Sequence, residues 1–350
     1  MGSGLLAFLI ALSASLVLTV PVRALAIRMG MVDSPGPRKV HVTPIPLLGG
    51  LAIYVGVMLS LLTVFDGAAR AQSLGIVTGA TLVAIVGFLD DKGWLHHQVK
   101  LFIAMPLAAV ILLVTGVRAN VFETLVGGNA GNWLDAALTI VWVVGITASF
   151  SILDHMDGLC AGVAAMASIF FAMAAYLNGQ TVVTVLAAAT LGAAAGFLRW
   201  NFKPAKIFMG DGGAMFLGFL MATLALKLRF DHAANLAGWL APVLILGATI
   251  FDTTLVTISR SRRGLLPFAT PGKDHSAHRL ANLGLGQRGA VLVIYFVGAI
   301  CGGAGVLVTY LSNARAAMVG AFVLAAMLLA IGRLERAPYE RQNAKKSIAA

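Results

Sequence analysis

Eight aspartates pose the chemical question in this sequence: Asp33, Asp90, Asp91, Asp154, Asp157, Asp211, Asp252 and Asp274 all lie in or beside strongly apolar segments. A charged side chain at the centre of a bilayer helix costs about 2.5–3.5 kcal/mol even on lenient scales. Several gathered at one depth therefore imply a shared polar cavity with cations as partners. Asp90 and Asp91 close an apolar run in VGFLDDKGWLHHQVKL. Two adjacent carboxylates at a helix end repel each other and oppose the negative end of the helix dipole. They call for a basic side chain or a metal, unless they simply start a solvated loop. Asp154 and Asp157 stand three apart in SILDHMDGLCAG, a spacing that puts both on one face at the membrane edge if the segment is helical. A helix-capping role would explain one of them but not both. Asp211 follows Lys203 and Lys206 in NFKPAKIFMGDGGAMFLGF. It is either a helix cap or a site residue whose neighbouring glycines let an anion or metal approach the backbone. Mg²⁺ takes one or two carboxylates plus phosphate oxygens and water, which suits Asp-rich loops interleaved with basic ones.

The basic side chains sharpen this reading. Lys273, Asp274, His275, His278 and Arg279 fall together in the longest loop. Two His three apart can bind zinc, but no Cys or third His is near them in sequence, so donation to phosphate oxygens is the better account. Arg279 offers the bidentate geometry for it, and a plain membrane-anchoring basic loop is the alternative. Asp252, about two turns inside the preceding helix, needs a partner from this cluster. An ordered turn rich in Pro and Gly, DSPGPRKVHVTPIPLLGG, adds Arg38, Lys39 and His41; phosphate contact and membrane topology explain its cations equally well.

The elements that hold these residues are membrane helices. The 350 residues are 59% hydrophobic and 11% charged, with a mean hydropathy of +0.91, a composition of the bilayer rather than of a soluble domain. About eleven continuous apolar runs of helix-spanning length recur, near 4–22, 47–65, 72–89, 99–116, 133–151, 160–177, 181–199, 212–228, 236–259, 288–311 and 316–332. The fold class expected is an all-α polytopic membrane protein of 10–11 helices, with one domain over 1–332 and a short basic tail over 333–350. About 20 of the 25 Lys and Arg fall in the odd-numbered loops and the tail, which places those in the cytoplasm and the N-terminus outside. The first run has no basic residue before it and Arg23 and Arg28 after it, so it reads as a retained helix. Cys160 and Cys301 read as small packing residues. The net charge of +11 is mostly a topology signal and a poor argument for nucleic acid.

Five runs in order, RKVHVTPIPLLGGLAI, LDDKGWLHHQVKL, LDHMDGLCAG, FKPAKIFMGDGGAMFLGF and KDHSAHRL, resemble the polyprenyl-phosphate N-acetylhexosamine-1-phosphate transferases. The resemblance implies transfer of a sugar 1-phosphate, foremost N-acetylglucosamine 1-phosphate, from a UDP-sugar to a polyprenyl phosphate, with release of UMP. It implies Mg²⁺, or Mn²⁺ in its place, and an active site on the cytoplasmic face of the inner (plasma) membrane. The polyprenyl phosphate, the UDP-sugar and the bilayer are the implied partners, with a homodimer as a candidate assembly. By resemblance Asp211 is the metal ligand, supported by Asp91; Asp90, Asp91 and Asp154 are catalytic; Lys39, His41, Lys100, Asp157, Lys206, His275, His278 and Arg279 bind substrate phosphates. The chain departs from the pattern at Ala148 and Ser151, where many members have Asn, and at His155, where Gly or Asn is common. Ala214 replaces a small hydroxyl, and Ala277 a third loop His. A catalytically inactive relative and a secondary transporter using the clustered carboxylates are the rival readings; acids gathered at one face and the lack of a clear internal repeat weigh against the transporter.

Overall fold

The structure, a computed structural model, describes residues 2–35, 43–64, 70–95, 97–230, 235–266 and 272–339. It is 79% helical. The helices are α1 (Gly2–Arg28), α2 (Gly50–Val64), α3 (Arg70–Asp91), α4 (Met105–Val114), α5 (Gly128–Leu153), α6 (Leu159–Leu177), α7 (Thr181–Asn201), α8 (Gly210–Lys227), α9 (Asn235–Ile245), α10 (Gly247–Arg262), α11 (Gly286–Val308) and α12 (Asn313–Leu334). One-turn helices lie at His97–Val99, Phe122–Leu125 and Ser276–Leu280, and short π-helical turns at Lys100–Ala104 and Ala281–Leu285. Seven helices are long and apolar enough to cross a membrane, or eight with one bent pair. The chain is a polytopic all-α membrane protein.

The expected apolar runs fall on helices, but those near 47–65 and 99–116 carry only the shorter apolar helices Gly50–Leu62 and Lys100–Val114, residue 65 lies outside the described residues, and one run is broken. The run at 236–259 is two helices, Leu236–Ile245 and Gly247–Arg262, bent by 74°. Pro242 and Gly247 flank the break, the residue types at which helices bend sharply. Beyond it α10 carries Asp252 toward the basic loop.

The core is organised around α8. Its residues Gly212–Leu226 are buried throughout, as expected of a helix that is apolar all round, and it packs against α2, α3, α5, α6 and α7. At the periphery, α1 buries only a stripe of small residues, Gly4, Ala7, Ala11, Ser15, Thr19, Val22 and Ala26, along α7. Its Leu5, Leu6, Leu9 and Val17 face outward. In α12 Phe322, Leu328 and Leu329 do the same; such side chains are where lipid tails replace protein neighbours.

Loops sort into two ends by their contacts. At one end the paired strands β1 (Val32–Asp33) and β2 (Ile45–Pro46) lead into a bridge from Leu47 to Phe208. At that same end Asp157 meets Ala205, and Arg288 donates to the Lys203 carbonyl. At the other end Arg229 donates to the Arg118 carbonyl and Gln72 to that of Gly116. This division matches the odd and even loops separated by their Lys and Arg content. The described part of the tail packs back on the first end through Glu335 and Tyr339; residues 340–350 lie outside the described residues.

Candidate active site

The ends of α3 and α8 meet over glycines. Gly210, at φ +71°, begins α8, and a Cβ there would run into the Asp91 carboxylate. A Cβ on Gly87 would lie 2.6 Å from the Asp211 carbonyl carbon and the Gly212 Cα. With neither present, Asp91 reaches the α8 N-terminus and accepts hydrogen bonds from the backbone N–H of Asp211 (2.8 Å) and Gly212 (3.1 Å). A carboxylate in that position satisfies orphan N–H donors and suits the positive end of the dipole. Asp211 itself makes no capping bond. The cap is Asp91, and Asp211 is left to face the site.

Around Asp211 three elements converge. Lys100, in the π-helical turn before α4, donates to Asp90 Oδ2 at 2.7 Å and to Asp211 Oδ2. Ser151, in the last turn of α5, donates to Asp211 Oδ1 at 2.6 Å. Asp154 is the residue on which α5 ends. Desolvation pushes its carboxyl well above the usual range, and the negative charges of Asp211 and Asp91 push the same way. No basic side chain is seen to pair with Asp154 among the described residues. Two carboxylates, Asp90 and Asp211, thus share the Lys100 ammonium, with the charges of Asp91 and Asp154 close by, a setting that suits a divalent ion. Oxygen donors with one neighbouring cation suit Mg²⁺. Asp211 and Asp90, both turned toward Lys100, are the side chains placed to hold such an ion; Asp91, expected to support the metal, instead accepts from the backbone N–H groups of Asp211 and Gly212.

The Asp154–Asp157 segment is not helical, so the two acids do not share a helix face. α5 stops at Leu153, α6 starts at Leu159, and Gly158 between them takes φ +78°. Asp157 accepts from the Ala205 N–H at 3.0 Å and so pins the segment before α8. Asn201 ties the same turn down, accepting from the Gly158 N–H and donating to the Ile207 carbonyl, both at 3.0 Å. Tyr295 donates to the Gly158 carbonyl at 2.5 Å.

Beside this pole stands the histidine loop. Asp252, 1% exposed, lies 2.8 Å from His275 Nδ1 and accepts from the Ser276 N–H and hydroxyl; the cluster supplies the partner expected for it. Asp274 is gripped by Arg260 through Nε (3.0 Å) and Nη2 (2.7 Å) and by Arg263 at 2.5 Å. Burial alone would raise its carboxyl, but the Arg260 and Arg263 guanidiniums overrule it and hold it at about 2. Arg279 is fully buried against the Tyr339 ring. Its guanidinium serves the Asp274 and Leu334 carbonyls, Glu335 and the Ser259 hydroxyl. That placement is of a brace and differs from the open phosphate donor expected from sequence. His155 stacks on His278 and lies tilted against His275, with ring centroids 4.5 and 4.0 Å away. It supplies the third imidazole that no sequence neighbour offered.

Of the other expected residues, Lys206 is exposed against the Trp200 ring, its ammonium 5.4 Å from the ring centroid, and the structure gives it no carboxylate contact. Lys39 and His41 lie outside the described residues. Sequence reasoning passed over Ser151 as a partner of Asp211, noting it only as a departure, and gave no role to Asn201, Tyr295 or Ser276. Small polar residues next to the aspartate runs were the available signal.

Half-buried carboxylates, a shared ammonium and a basic loop at one end of a helical bundle mark a polytopic membrane protein with a charged site. Residues 73–229 match the glycosyl transferase family 4 profile. A probable undecaprenyl-phosphate N-acetylglucosaminyl 1-phosphate transferase of Bacillus subtilis (strain 168) is 37% identical over 84% of this chain and 82% of its own length. The decaprenyl-phosphate N-acetylglucosaminephosphotransferase of Mycobacterium tuberculosis (strain H37Rv) is 34% identical over 91% and 86%. The undecaprenyl-phosphate alpha-N-acetylglucosaminyl 1-phosphate transferase of Escherichia coli (strain K12) is 26% identical over 82% and 79%. The chain belongs to glycosyl transferase family 4.

Proposed function

We propose that this protein transfers N-acetylglucosamine 1-phosphate from UDP-N-acetylglucosamine to a polyprenyl phosphate at the cytoplasmic face of the plasma membrane, releasing UMP. The observation that carries the reading is the meeting of Asp90 and Asp211 on the Lys100 ammonium, with Asp91 bonded to the backbone N–H of Asp211 and Asp154 near enough to feel the charges of Asp211 and Asp91. Both substrates are anionic and must be held together without repulsion. The names of the relatives support polyprenyl phosphate as acceptor and N-acetylglucosamine phosphate as the transferred group.

In the reaction an oxygen of the lipid phosphate attacks the phosphorus that carries the sugar. The new P–O bond joins lipid and sugar in a diphosphate, and the bond to the UMP oxygen breaks. A phosphate monoester is already largely ionised near neutral pH, so no general base is required. Mg²⁺ supplies charge neutralisation on the transferred phosphoryl group. Asp211 and Asp90 would hold it, Asp91 fixes Asp211 through the α8 backbone, and Ser151 orients the second Asp211 oxygen. Lys100 remains as the protein's own cation for phosphate oxygens.

The test uses purified protein in detergent with undecaprenyl phosphate, Mg²⁺ and a panel of UDP-sugars, following UMP release. UMP that depends on lipid, on Mg²⁺ and on UDP-N-acetylglucosamine above the other donors is the expected result. A well-folded sample that releases UMP from none of them contradicts the reading.

A further inference from the structure

The imidazole cluster holds polar atoms that the transfer reaction does not account for. Both ring nitrogens of His155 and Nδ1 of His278 are buried without a hydrogen-bond partner. A buried polar atom left alone is disfavoured and calls for an explanation such as a bound ion. Here three such atoms sit in one place. We propose that His155, Asp252 and His275 form a second cation site, of the zinc class, that clamps the histidine loop to the turn between α5 and α6.

Geometry is the main support. His155, Asp252 and His275 each offer one ligand atom, and these atoms all lie within 4.8 Å of one another. Ligands at ordinary zinc distances stand about 3.4 Å apart around a tetrahedral ion, so side-chain shifts of about 1 Å close the site. The His278 ring, stacked on His155 at 4.5 Å, is next in line to turn its free Nδ1 inward as a fourth ligand.

Donor chemistry separates this site from the carboxylate pole. Two imidazoles and one carboxylate favour a borderline ion such as Zn²⁺ or Co²⁺, whereas all-oxygen donors favour Mg²⁺. Asp252 is already oriented: Ser276 holds Oδ1 with two hydrogen bonds, leaving Oδ2 directed at His275 Nδ1. An ion there would be held by the Nδ1 lone pair of neutral His275, the ring proton moving to Nε2, and by Asp252 Oδ2. Arg260 approaches His275 Nε2 at only 3.4 Å, and its Nη2 has its close partner in Asp274. The guanidinium charge is therefore balanced within the Arg260–Asp274 pair rather than aimed at the ion.

Three segments distant in sequence supply the ligands, which is why the loop alone gave no zinc pattern. An ion here ties residue 155, next to Asp154, to the loop that carries His275. It would fix the spacing between the carboxylate pole and that loop without entering the pole.

The experiment measures metal in the full-length protein purified in detergent. Wild type and Asp211→Asn are each expected to retain about one zinc per chain after exchange into buffer containing only Mg²⁺, while His155→Asn loses it. Cobalt substitution provides a signal that does not depend on His155→Asn folding. Wild type should give the visible bands of a tetrahedral nitrogen–oxygen site, and His155→Cys should add a thiolate-to-cobalt charge-transfer band. Zinc absent from wild type, zinc equal in wild type and His155→Asn, or a folded His155→Cys without the thiolate band overturns the proposal. Because metal content and spectrum are read without substrate, the result stands apart from the transferase reading.

Discussion

The carboxylate pole and the Asp274 network lie at the same end of the molecule and balance charge in opposite ways. At the pole, Asp90 and Asp211 share Lys100 while Asp91 bonds the α8 backbone, and Asp154 is driven toward its neutral form by desolvation and by its acidic neighbours. In the network, one carboxylate is held by two guanidiniums and sits at about 2, with Arg279 bracing the loop from below. A group of acids short of cations is poised to receive a cation. A group complete in itself holds a loop still. The difference marks the first as chemistry and the second as scaffold.

The comparison breaks most sharply at Asp211. Asp211→Asn should remove several kcal/mol of charge stabilisation from the reaction, about 10³-fold in rate, while the protein stays folded and membrane-inserted. Steady-state UMP release and size-exclusion profiles check both halves. On the scaffold side, Asp274→Asn leaves Arg260 and Arg263 without their buried carboxylate and should cost about 3–5 kcal/mol of stability, seen as a lower Tm in detergent. Asp274 has a folded value below its ordinary one, so its stabilisation is complete above the ordinary value and is lost as pH falls toward 2. Asp154 has the opposite sign. Its raised folded value makes the folded state lose ground as pH rises above the ordinary carboxylate value. Asp154→Asn should therefore keep or raise the neutral-pH Tm while abolishing activity.

Smaller effects sharpen the same contrast. Lys100→Met should lower kcat about 10–100-fold, as expected for losing charge-assisted bonds worth about 1.5–3 kcal/mol. It should not increase the Mg²⁺ concentration required, because a competing cation has been removed; a raised requirement would place Lys100 in support of the metal instead. Ser151→Ala deletes one hydrogen bond to Asp211 and should cost about tenfold. Asp157→Asn keeps an acceptor for the Ala205 N–H and should be milder still, well below Asp154→Asn in rate loss. A reversal of that last order would interchange the roles given to the two acids.

Much of this was legible in the sequence because bilayer burial makes rare residues informative. The eleven apolar runs, their sorting into two ends and the meeting of Asp90, Asp91 and Asp211 all follow from where charge is costly. What local patterns did not give was connection across space. The i, i+3 spacing of Asp154 and Asp157 suggested a helix, but the chain turns there, with Gly158 at positive φ. The ninth run looked continuous because its composition hides a bend between Pro242 and Gly247. Arg279 looked like a phosphate donor because its residue type suits one, yet its partners, Ser259 and Glu335, come from distant segments. His155 looked like an isolated departure until the fold stacked it on His278 and set it against His275.

The most direct test of the central claim follows UMP release from UDP-N-acetylglucosamine and undecaprenyl phosphate as Mg²⁺ is titrated into metal-stripped wild type and Asp211→Asn. Saturable activation of wild type, with Asp211→Asn about 10³-fold slower at every Mg²⁺ concentration, is the outcome the account predicts. Full wild-type turnover without any divalent ion, or an Asp211→Asn enzyme that Mg²⁺ activates equally, would contradict it.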